Sequence, residues 1–135
     1  MITAGTLLAA GWQSVEDDSF VGHLGSVYTL PAKVLELGVL TKPHHQNLSG
    51  VVHGGVYMTG FDRAMGYVVR DLRKSERFAT AQMSVEFLRA AKIGEFVRFV
   101  PEITKQGRQA VFMRGVAWVE DKQVAAASAV FMKVA

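Results

Sequence analysis

The sequence predicts an α+β fold in which an antiparallel sheet surrounds one long helix. Three observations carry this. Only the stretch from Gly54 to about Arg73 sustains a helical period. The segments on either side read as strands punctuated by turn residues. The chain has 135 residues, half hydrophobic and a fifth charged, which suits one globular domain spanning 1–135.

Taken in order, residues 3–15 are expected to form a short helix. Residues 25–30 and 33–41 read as two strands around a turn at Pro31, and 42–52 as a polar loop. On a helical wheel of the next stretch, Met58, Phe61, Ala64, Met65, Val68, Val69 and Leu72 share one broad face. Thr59, Arg63, Arg70 and Arg73 lie elsewhere. So wide an apolar face calls for a sheet to cover it.

In 80–88, Met83, Val85 and Phe87 alternate with Gln82, Ser84 and Glu86, a half-buried strand. Residues 96–104 form a further strand in which Pro101 implies an edge or bulge. Residues 105–108 and 120–123 read as turns, and 109–119 and 124–134 as long apolar strands. The expected order is two strands, one helix and a four-strand meander. One helix covers one face of such a sheet, so the other face is expected to meet a second copy.

The composition excludes several function classes. A net charge of +3 is too mild and scattered for a nucleic-acid surface, though it suits an anionic small molecule. The absence of cysteine removes disulfides, a thiol nucleophile and thiolate metal sites. Residues 2–10 lack the basic flank and length of a signal peptide or membrane span, so a cytoplasmic protein with no membrane partner is expected.

Polar chemistry concentrates in Asn47 to Gly66. His53-Gly54-Gly55 opens the helix, where unpaired amides point outward, glycine allows close approach and the helix dipole favours negative charge. Such an end suits a developing oxyanion, or it is a glycine turn that merely starts a helix. His53 is better placed to cap or pack under the loop than to catalyse. His44, His45 and His53 lack a carboxylate partner at a metal-site spacing, so no metal is expected.

Asp62 lies at the margin of the apolar face, with no basic residue three or four positions away. It is either a partly desolvated base or a boundary carboxylate, solvated or paired to a distant Arg. Gly54 and Asp62 stand roughly 12 Å apart along the helix, too far for one small reacting group. If both act on one substrate, they come from two subunits with antiparallel helices.

The pattern Asn47, Gly50-x-x-His53-Gly54-Gly55 and Asp62 resembles the hotdog-fold acyl-CoA thioesterases of the PaaI type, in the thioesterase superfamily. The stretch from Ala79-Thr80 to Gly94-Glu95, then Gln106-Gly107-Arg108 and the last strand, extends the likeness over about 20–134. The resemblance implies a hotdog, homodimeric or homotetrameric, with its sites at the dimer interface. It implies hydrolysis of an acyl-CoA or aryl-CoA with no metal or redox cofactor, CoA being part of the substrate.

Carried over by position, Asp62 is the general base or nucleophile and the Gly54 N–H polarises the carbonyl. Asn47 helps position substrate or water. Thr80 supplies a hydroxyl that orients water or supports the carboxylate. His53, Gly55, Arg89, Lys92 and Arg108 are substrate-binding candidates, the basic ones with Lys105 for the CoA phosphates. Tyr57, Met58, Phe61 and Met65 are candidates for an acyl pocket. A hotdog hydratase and a non-catalytic acyl-CoA binder are the alternatives.

Overall fold

The computed structural model describes residues 1–31 and 35–134. Its elements are α1 (Ala4–Ala9), β1 (Gln13–Ser14), α2 (Phe20–Leu24), β2 (Val27–Leu30) and β3 (Glu36–Leu40). A 3₁₀ turn (Pro43–His45), α3 (Gly54–Leu72), β4 (Arg77–Phe87), β5 (Phe96–Gln106), β6 (Ala110–Val119) and β7 (Lys122–Val134) follow. The strands form one antiparallel sheet in the order β1-β2-β3-β5-β6-β7-β4. The long helix α3 packs against β3, β4, β5, β6 and β7, the architecture that the sequence predicts.

Several expectations need correction. The helix expected over 3–15 stops at Ala9, because Gly11 takes a φ of +95° and the chain then turns into β1. The strand expected from Gly25 begins at Val27, after Gly25 and Ser26 both adopt positive φ. Ala32, Lys33 and Val34 lie outside the described residues, so the start of the strand expected over 33–41 is described only from Leu35. The helix α2 and the 3₁₀ turn were not expected at all.

The last four strands are not a simple meander. The strands β5, β6 and β7 follow one another, but β4 pairs with β7 at the end of the sheet. Strand alternation records which face a residue takes and says nothing about which strand lies alongside. Pro101 falls two residues beyond Phe99, the last β5 partner of β3, so its missing N–H costs no bond to β3.

The face of α3 is also rotated from the wheel. Val56, Tyr57, Gly60, Phe61, Ala64, Met65 and Val69 are buried, while Met58 and Leu72 are exposed. Gly60 sets this rotation. A Cβ there would stand 2.3 Å from the Phe99 ring, so the helix seats β5 against its own glycine. An apolar wheel gives a glycine no such weight.

The second face of the sheet is partly covered by the chain itself. Leu7, Trp12, Tyr28, Leu40 and Phe96 form a separate buried cluster. Phe96 lies where a Gly38 side chain would be, and Trp12 meets it edge-on at 5.0 Å. Farther along that face, Phe112 and Met132 remain exposed and Trp118 and Val130 half-buried.

One irregularity positions the candidate site. Strand β4 registers Thr80 with Phe131 and Gln82 with Val130, leaving Ala81 as a bulge. Before it, the even-numbered Phe78 and Thr80 face α3. After it, the odd-numbered Met83, Val85 and Phe87 do so. Plain alternation from Met83 would have turned Thr80 away from the helix.

Candidate active site

The carboxylate comes first. Asp62 lies in the third turn of α3 on the side facing β4, exposed in the single chain rather than partly desolvated. The Thr80 hydroxyl donates to its Oδ1 at 2.5 Å. That bond fixes the plane of the carboxylate and leaves Oδ2 for another donor. Asp62 and Thr80 line two adjoining grooves, of about 580 Å³ and about 510 Å³.

Arg63, next to Asp62, does not pair with it. Its guanidinium bonds the Asp17 carboxylate at 2.7 Å and lies over the Tyr67 ring at 5.0 Å. Asp17 also accepts from the N–H and hydroxyl of Ser19, and these bonds, followed by Arg63, hold its pKa below the usual carboxylate value. The result is a brace that ties the start of α2 to the middle of α3. Phe20, the first residue of α2, is thereby held exposed beside Met58.

The helix start is built separately. His53 caps α3, its Nδ1 accepting from the Gly55 N–H at 2.8 Å. The Gly55 amide is therefore committed, whereas the Gly54 N–H has no partner among the described residues. Gly54 also lies under the exposed Phe87 ring, which a Cβ would meet at 3.3 Å.

Asn47 shares a groove of about 430 Å³ with Gly54, Phe87 and Arg89. Its Oδ1 accepts from the N–H of Ser49 and of Val51, which shapes the loop. Because oxygen makes both bonds, Nδ2 is left with its two donors. Asn47 and Gly54 thus offer hydrogen-bond donors, and Asp62 and Thr80 an oriented carboxylate acceptor, in different grooves of one chain.

His45 supports the donor end from below. It is 2 % exposed, and both ring nitrogens are used. Nδ1 accepts from the Lys42 N–H at 2.9 Å, so Nε2 carries the proton and donates to the Leu24 carbonyl at 2.7 Å. Burial, the largest cause, lowers its pKa. Its backbone carbonyl accepts from the His53 N–H. His44 Nε2 reaches the same Leu24 carbonyl, so these two rings hold a backbone oxygen.

Of the other residues singled out by sequence, Lys92 bridges to Val51 beside the Asn47 loop. Arg108 lies on the β5–β6 turn, its carbonyl taken by Arg73, and lines none of these grooves. Tyr57, Phe61 and Met65 are buried core, leaving Met58 as the exposed member of the suggested acyl pocket. The sequence reading missed His45, the Arg63–Asp17 brace, Phe20 and Met83. Only Arg63, adjacent to Asp62, carried a signal. Among the described residues no helix is long and apolar enough to cross a membrane.

Comparison with known proteins gives the family and the fold. The thioesterase superfamily profile matches residues 49–126, from the Asn47 loop to the start of β7. A Saccharolobus solfataricus protein carrying an esterase name is 34% identical over 64 residues, 47% of this chain and 42% of that protein. A Bacillus halodurans protein solved with CoA has 27% identity and a TM-score of 0.68 over 73% of this chain and 66% of its own. The match therefore spans less than two thirds of either relative. Zebrafish thioesterase superfamily member 2 superposes over the whole of both chains with a TM-score of 0.79 at 20% identity, a likeness of fold.

Proposed function

Since the chain belongs to the thioesterase superfamily and has the hotdog fold, we propose that it hydrolyses an acyl-CoA or aryl-CoA thioester to the free acid and CoA, at sites shared between two subunits. The observation that carries this is the separation of donors from base. Gly54 and Asn47 line one groove, Asp62 and Thr80 another, and the two ends lie roughly 12 Å apart along α3. Antiparallel α3 helices across a two-fold axis bring one subunit's donors to the other's carboxylate. The relative solved with CoA supports that carrier.

The residues then divide the work. The Gly54 N–H and the Asn47 Nδ2 donate to the thioester oxygen, where negative charge develops. Asp62, oriented by Thr80, takes the proton of a water through Oδ2 as the water oxygen bonds the carbonyl carbon. The C–S bond breaks and the thiolate leaves, recovering a proton from Asp62. A thioester is activated and thiolate leaves readily, so one base and two aligned donors suffice. Direct attack by the carboxylate uses the same groups.

The test is thiol release from phenylacetyl-, hydroxybenzoyl-, hexanoyl- and palmitoyl-CoA, with Asp62→Asn beside wild type. Turnover that falls by at least ~100-fold in the variant, with fold and oligomer intact, is expected. Near-normal turnover in Asp62→Asn would sink the assigned role.

A further inference from the structure

The Asp62–Thr80 pair stands on a divide between two unlike grooves. On one side lie Phe20, Met58 and Met83, apolar and partly exposed. Among the described residues the only ionic side chain there besides Asp62 is Arg63, already held by Asp17. On the other side the groove runs along α3 towards Arg70, Lys74 and Arg77. Its second acid, Glu76, is bonded by Arg73 and Lys133, which hold its pKa down to about 2. Lys74 meets Asp71. Arg70 and Arg77 are exposed and in no ion pair among the described residues.

A thioester on CoA has two unlike ends, one acyl and one bearing phosphates. We propose that the two grooves are the two halves of one cleft: an uncharged acyl group lies against Phe20, Met58 and Met83, and the CoA phosphates lie against Arg70 and Arg77. This rests on the hydrolase reading above and adds the direction in which substrate lies.

The two-fold arrangement of that reading gives the same direction. If Gly54 of one helix meets Asp62 of the other, residue 58, halfway between, falls at the axis. The Met58 groove is then the inner one, shielded by two copies, and the Arg70 end is the outer one. An apolar group gains from the shielded side. Phosphates keep their hydration at the rim and meet guanidinium forks there. The sequence candidates Arg89 and Lys92 lie with the Asn47 loop.

Binding and turnover test this separately. Isothermal titration of wild type with CoA, 3′-dephospho-CoA and pantetheine should show affinity falling in that order. In Arg70→Ala/Arg77→Ala, CoA affinity should drop by at least ~10-fold, since each charged contact to phosphate is worth roughly that. Both side chains are exposed, so folding is not at risk; matching melting curves confirm it. Equal CoA affinity in variant and wild type overturns the phosphate assignment.

For the acyl half, Met58→Trp should shift preference from long or aryl groups towards acetyl. An unchanged acyl ranking overturns it, as does faster turnover of a thioester with a charged far end than of an uncharged one of equal length. A protein that binds CoA through Arg70 and Arg77 yet hydrolyses no thioester supports this polarity and overturns the hydrolase reading instead.

Discussion

At the scale of single residues, His45 shows how a site is held by groups that never meet substrate. Its ring joins Lys42 to Leu24 and its backbone receives the cap residue His53, so the loop, α2 and the start of α3 depend on one imidazole. Removing it leaves the part-buried Lys42 N–H without its acceptor and the Leu24 carbonyl with His44 alone, a cost of roughly 1–3 kcal/mol. The pH dependence follows from the lowered pKa. An unfolded His takes up a proton near its usual 6.5, while the folded one resists it. The unfolded state therefore holds more protons below that pH, and the stability present above it is lost as pH falls towards the folded value. Urea unfolding from pH 7.5 to 5.5 should show this slope in wild type and a shallower one in His45→Gln. An identical slope in both would assign it to other groups. Asp62 was legible in sequence because it is the acid at the margin of the apolar face with no basic residue a turn away. The facing of Thr80 was not, because a bulge leaves no mark on alternation. His45 was hidden for a related reason: burial is a property of what packs over a residue, and α2, which does so, was not foreseen.

At the scale of elements, the helix α3 was readable in extent but not in rotation. Its start at His53-Gly54-Gly55 and its end near Arg73 follow from glycine and apolar period. Its rotation follows from Phe99, whose ring needs the space at Gly60 and is held by Tyr57 and Phe61. This yields opposite outcomes for two glycines of the same helix. Ala at either gains up to about 1 kcal/mol of helix propensity. At Gly60 the Cβ meets a fully buried ring, and overpacking of about 1–3 kcal/mol wins. At Gly66 the nearest atom, of Phe131, is 3.9 Å away, so the propensity gain stands. Urea midpoints should fall for Gly60→Ala and hold or rise for Gly66→Ala. A midpoint for Gly60→Ala at or above wild type would show that Phe99 can move aside.

At the scale of the whole molecule, the fold class was legible because one helical period among many strands admits few layered solutions. The strand order was not, since it depends on where α3 delivers the chain. That delivery leaves β4, eleven residues long, paired among the described residues with β7 alone. Phe87 and Leu88 are exposed at its end. An open edge of that length invites a second copy. Under the shared-site reading, mixing Asp62→Ala with Asn47→Ala protein should restore part of the activity, because one of the two sites in each heterodimer holds both native residues. No recovery, with subunit exchange verified by mass spectrometry, would count against that arrangement. The bulge at Ala81 carries a consequence of another kind. Residues on either side of it point inward in opposite parity, while their partners on β7 run on without a break, so Ala81 is the one residue of the strand that the ladder does not need. Deleting Ala81 would leave Thr80, Gln82 and Met83 consecutive opposite Phe131, Val130 and Ala129, an unbroken ladder in which Thr80 and Met83 still face α3, and would remove the local bend that sets how the hydroxyl reaches Asp62. In an aligned set of related chains, a one-residue gap here would keep the facing of both side chains and straighten the edge, whereas an added residue would turn one of them outward.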